Sequence, residues 1–201
     1  MRKIISLSLL LILGLTAVAQ AATDAKGVLV GLSQNIAKLG RYEAAFSLQV
    51  GDYKAEGRYM VDGNAYHIVV GDAAEVYCDG KVRYEVDKER EEVNIDVVDA
   101  SSRNILDNPT RCFDFVEEEY TAEIVEQSGG DVTLKLRSTD EKVEGDILLT
   151  IEHSTGKPKS LEYMLYDDNI LVRVENIEHK SDGVKSFSRS AYKDYEMIDF
   201  R

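Results

Sequence analysis

From Tyr42 to Val97 apolar and polar side chains alternate with a period of two. Tyr42, Ala44, Phe46, Leu48 and Val50 interleave with Glu43, Ser47 and Gln49. Tyr53, Ala55, Gly57, Tyr59 and Val61 interleave with Lys54, Glu56 and Arg58. Neighbouring side chains of a strand point to opposite faces, so each run predicts a strand with one apolar face. The runs around Ile68, Cys78, Tyr84 and Ile95 continue the series. Gly51-Asp52, Asp62-Gly63-Asn64 and Asp79-Gly80 supply turns between them. The first half therefore reads as a six-stranded meander.

The segment ahead of it has a different period. Val28, Leu29, Leu32, Ile36 and Leu39 recur at helical spacing after Thr23 and Asp24, two good capping residues. Gly40 offers a stop, so 24–39 is predicted as one amphipathic helix. Residues 98–119 break the alternation. Asn108-Pro109 starts a helical pattern there that carries Cys112, Phe113, Val116 and Tyr120. Strand patterns resume through Ile124, Leu134, Leu149, Tyr163, Leu165 and Val172, followed by an aromatic tail from Phe187 to Phe200. The prediction is a mainly β fold with some α: one strongly curved antiparallel sheet of about eleven strands, an N-terminal helix, and a helical plug or lid. A sheet that nearly closes at this strand number leaves a wide interior. Pattern alone leaves two roles for the helices, completing a core or covering a ligand cavity.

The first residues follow neither pattern. Arg2 and Lys3 precede an apolar run from Ile4 to Val18, and Ala19-Gln20-Ala21 follows. This is the form of a secretory signal peptide, and the run is short for a membrane span. It predicts cleavage after Ala21, a single domain over 22–201, and a soluble bacterial periplasmic protein. No Cys follows the run to carry a lipid. Cleavage removes Arg2 and Lys3 and no acid, taking the formal charge from −13 to −15. Such acidity argues against nucleic acid, which needs a clustered basic surface.

Candidate chemistry is sparse. His67, His153 and His179 fall in strand-like runs or at their ends and form no readable triad. The runs Glu117-Glu118-Glu119 and Glu89, Glu91, Glu92 read as solvated faces. Asp167-Asp168-Asn169 reads as a turn, since it lacks the calcium-loop pattern. No phosphate loop, dinucleotide fingerprint or nucleophile elbow occurs. No cofactor, metal or enzyme activity is predicted. Cys78 and Cys112 are candidates for a disulfide in an oxidising compartment, with two buried thiols as the alternative.

The order of elements carries a resemblance. Signal segment, helix, six-strand meander, helical insert and second run of strands together resemble the periplasmic outer-membrane lipoprotein carrier family, LolA. Ile36 to Phe46 resembles its helix end entering the first strand, and Asp79-Gly80-Lys81 before Tyr84 resembles one of its hairpins. Asn108 to Phe113 occupies the place of its lid helix, and Phe187 through Asp199 is similar to its last strand and tail. The chain departs from the family at Asp62-Gly63-Asn64, where a basic residue beside Pro is usual, and it has no Trp. The gating contact of the family is therefore not implied here.

The resemblance implies a half-open barrel that shelters lipoprotein acyl chains, with a helical lid, an inner-membrane release pump and an outer-membrane acceptor as partners. It implies a monomer that carries acylated lipoproteins, or as the alternative a module for another lipid or an envelope sensor. Phe46, Leu48, Tyr59, Tyr66, Ile68, Tyr84 and Ile95 are the expected residues of one cavity wall. Leu149, Tyr163 and Leu165 are expected on the other, and Phe113 and Val116 on the lid. A one-residue slip in register would turn a strand's whole set to the opposite face.

Overall fold

The computed structural model describes residues 24–99, 119–141, 143–165 and 169–201. The signal segment, Cys112, Phe113 and Val116 lie outside these residues.

Helix α1 spans Ala25–Leu39. Asp24 caps it by accepting a hydrogen bond from the Lys26 amide, and Gly40 ends it at φ 64°, where a Cβ would be strained. Six strands follow as a meander: β1 Tyr42–Val50, β2 Tyr53–Asp62, β3 Ala65–Val70, β4 Ala74–Cys78, β5 Val82–Asp87 and β6 Glu92–Val97. Five more make the second half: β7 Tyr120–Ser128, β8 Asp131–Ser138, β9 Asp146–Glu152, β10 Lys157–Met164 and β11 Asn169–His179. A 3-10 turn at Arg189–Tyr192 leads to β12, Glu196–Asp199.

The twelve strands of the described residues form one sheet, ordered β12-β6-β5-β4-β3-β2-β1-β11-β10-β9-β8-β7. β12 and β7 are its two edges and do not pair, so the barrel is half-open. The long β1–β11 ladder, from Tyr42↔His179 to Val50↔Ile170, joins the two halves. The sequence predicted about eleven antiparallel strands. The twelfth lies in the aromatic tail and pairs with β6 in parallel, Met197 opposite Val93.

The helix packs on one face of the sheet, called the inner face below. Leu29 and Leu32 are buried against Val132, Leu134, Leu136, Ile147, Leu149, Ile151, Leu161 and Tyr163 of β8–β10. Full burial of each such aliphatic side chain is worth about 1.5–3 kcal/mol, so this half of the inner face is the main core. Ile36 and Leu39, one turn on, reach the other half at Tyr42, Tyr59, Val61, Tyr66 and Cys78.

Candidate functional site

Pairing registers place each side chain on a face. Phe46 lies opposite Gly57, and Leu48 opposite Ala55 on β2. Tyr59 lies opposite Ile68 and Val61 opposite Tyr66, which faces Cys78 in turn. On the far side of β1, Phe46 meets Val174 and Leu48 meets Val172. Phe46, Leu48, Tyr59, Tyr66 and Ile68 therefore share the inner face.

This strip is graded along the strands. At the helix end Tyr42, Ala44, Tyr59, Val61 and Tyr66 are buried. Tyr42 and Tyr59 meet edge to face at 6.3 Å, and Tyr59 and Tyr66 at 6.2 Å. Burial pushes the Tyr66 phenol up and keeps it neutral. Cys78 is a buried free thiol, and burial pushes it up too, which leaves it unreactive. Toward the other end, Phe46, Leu48, Val50, Ala55, Ile68, Val70, Ile170 and Val172 are only half-buried. They form an apolar strip across β11, β1, β2 and β3.

Leu149, Tyr163 and Leu165 are on the inner face too, but under α1. Leu149 is 0% exposed and Tyr163 5%, and the Tyr163 hydroxyl donates to the Glu144 carbonyl. They pack as core.

Tyr84 and Ile95 lie on the opposite, outer face. Tyr84 pairs with Tyr77, which pairs with His67, and these alternate with the Tyr66–Cys78 row. On β5 and β6 it is Arg83, Glu85, Asn94 and Asp96 that line up with the inner row. The correction has a physical cause. Alternation shows that a strand has one apolar face but not which way that face turns; here the outer face is the one covered. Phe187, Tyr192, Tyr195 and Met197 of the tail pack over Tyr77, Tyr84, Val86, Val93 and Ile95. Phe187 stacks between Tyr84 at 4.2 Å and Tyr192 at 5.6 Å.

Beneath this strap sits a polar hub that the sequence did not reveal. The Glu75 carboxylate accepts from Lys88 Nζ at 2.8 Å, from the Tyr77 hydroxyl and from the Tyr192 hydroxyl at 3.2 Å. Lys185 Nζ lies 3.7 Å away. Burial alone would raise the Glu75 pKa, but the bonds from Lys88 and Tyr77 and the two lysine charges bring it down to about 2. His67 stacks on Tyr77 at 4.7 Å, and burial pushes its pKa down. A lone Glu in an apolar strand was the only available signal. The remaining histidines are exposed, and His179 Nδ1 lies 2.8 Å from the Leu39 carbonyl.

Among the described residues, no group of three or more His, Cys, Asp or Glu could hold a metal ion. An open hollow of about 610 Å3 lies at the ends of β8–β10, lined by Arg137, Asp140, Glu144, Asp146 and Leu165 among others. Its carboxylates suit it poorly to an alkyl chain. The inner apolar strip is the candidate site.

No family model matches the sequence, and no curated protein matches it. Among solved structures, an uncharacterized conserved protein from Thermus thermophilus is similar at TM-score 0.53 and 9% identity, over 88% of this chain and 99% of that one. A LolA superfamily protein from Nitrosomonas europaea is similar at TM-score 0.42 and 9% identity, over 85% of this chain and 98% of that one. LprF from Mycobacterium bovis is similar at TM-score 0.43 and 13% identity, over 81% and 96%. At these identities the likeness is one of fold. The half-open sheet with its N-terminal helix is the fold shared with the Thermus thermophilus protein.

Proposed function

We propose that this chain is a periplasmic carrier that holds the acyl chains of lipoproteins on the open part of its inner face and shuttles them to the outer membrane. The observation that supports it is the half-buried strip of Phe46, Leu48, Val50, Ile68, Val70, Ile170 and Val172. Exposed apolar side chains in a contiguous row usually mark a binding surface. Each methylene moved from water onto such a surface is worth about 0.8 kcal/mol, so carrying a lipid through water requires most of its chain to be covered. An inner-membrane pump would load the carrier and an outer-membrane acceptor would unload it. A formal charge of −13 over the whole sequence would keep the surface off anionic lipid during transit.

The full sequence, signal segment included, should be expressed in a bacterium and the protein purified from the periplasmic fraction. Organic extraction and mass spectrometry should then identify what it holds. Triacylated lipoproteins support the carrier. Free lipids in their place replace it with a lipid-binding module, and an empty protein that also takes up no added lipid overturns both.

A further inference from the structure

Gly57 lies in the apolar strip, opposite Phe46 and Val70. A Cβ there would stand 2.3 Å from Phe46 Cζ and 2.6 Å from the Val69 carbonyl oxygen, both far inside van der Waals contact. The Phe46 ring therefore lies over the Gly57 backbone, in a notch that only glycine leaves open. On β11 the pairing shifts between Ala45 and Phe46, so Phe46 faces Val174 where the strand is irregular.

The position of this ring divides the strip. On the helix side the next inner residue of β1 is Ala44, 3% exposed, with Tyr59, 6% exposed, opposite it. On the other side lie Leu48 and Val50, half-buried. We infer that Phe46 is the depth stop of the site, the specificity-determining residue that limits how far an alkyl chain can slide toward the helix. This rests on the acyl-binding reading above. A chain entering from the Val50 end runs along four residues of strand, about 14 Å, before it meets the ring. Ala44 carries only a methyl group, so without the ring the path continues to Tyr59, about 7 Å further. Phe46 thus sets chain length by standing between the half-buried end of the strip and the buried Ala44–Tyr59 pair.

The test is calorimetric titration of the protein with a ladder of straight-chain fatty acids, each two carbons longer than the last. For the wild type, affinity should rise by about fourfold per methylene while new carbons are buried, then level off. Phe46→Ala should move the levelling point to longer acids by several carbons, with little change for the shortest. Phe46→Leu, which keeps an apolar group of similar length without the ring, should move it less and covers the case in which the alanine variant does not fold. A levelling point that stays put in the folded variants overturns the depth stop and leaves the acyl site standing. Failure of the wild type to bind any member of the ladder overturns the acyl-binding reading, and the stop with it.

Discussion

Glu75 shows how much one buried acid can organise. Its side chain is 13% exposed, yet it gathers Lys88 from the β5–β6 turn and Lys185 and Tyr192 from the tail. Loss of one partner from such a cluster costs more than the cluster itself contributes, because the remaining polar groups stay desolvated. Glu75→Gln should destabilise the protein by about 2 kcal/mol at neutral pH. The pH dependence has a definite sign. The folded pKa of about 2 lies below the ordinary 4.5, so the carboxylate stabilises the fold fully above about 4.5. That contribution fades as pH falls toward about 2. Urea midpoints of wild type and Glu75→Gln should differ most near neutrality and converge in acid. A gap that stays constant down to acid pH contradicts the assignment.

The elements were legible in unequal degree. Helix α1 and strands β1 to β3 carry strict periods, and the structure places them within a residue or two of the sequence reading. β12 was not legible as a paired element. It has four residues, only two of them apolar and adjacent, and its partner β6 lies about a hundred residues earlier in the chain. The same tail explains the misplaced pair. Alternation assigns Tyr84 and Ile95 to the cavity wall because the meander gives each strand an apolar face, and nothing local says that residues 187–197 cover the outer side. The strap is also the least buried part of its own cluster. Tyr77, Val86 and Val93 are 2% exposed or less, whereas none of the residues of the Arg189–Tyr192 turn is buried. Ending the chain after Gly183 should therefore leave the sheet folded but uncover an outer apolar patch. The truncated protein should bind the dye ANS strongly and self-associate on a sizing column, with its β-type circular dichroism retained. A monomer without dye binding would mean the strap shields nothing.

At the scale of the molecule, one sheet has three surfaces with three fates. The inner face of β8–β10 is filled by α1, the outer face of β4–β6 is covered by the strap, and the inner face of β11 and β1–β3 is left half-buried at the end away from the helix. The open edge strand β7 is guarded in the usual way, with a register shift between Ile124 and Glu126 and charged residues at Glu123 and Glu126. This partition sorts the expected wall residues into buried and half-buried positions, which sequence alternation could not do because both share the same period. It also separates two substitutions that look identical in sequence. Leu149 is 0% exposed beneath α1, so Leu149→Glu buries an unpaired charge and should unfold the protein or lower its melting temperature drastically. Leu48 is half-buried beside Ala55 and Val172, where a carboxylate can still reach water. Leu48→Glu should keep the fold and abolish uptake of a fluorescent acyl probe, since a charge in the strip costs more than the chain's burial returns. Equal unfolding by both would make the strip core rather than site. Retained binding in a folded Leu48→Glu protein would move the site off the inner face of β1 altogether.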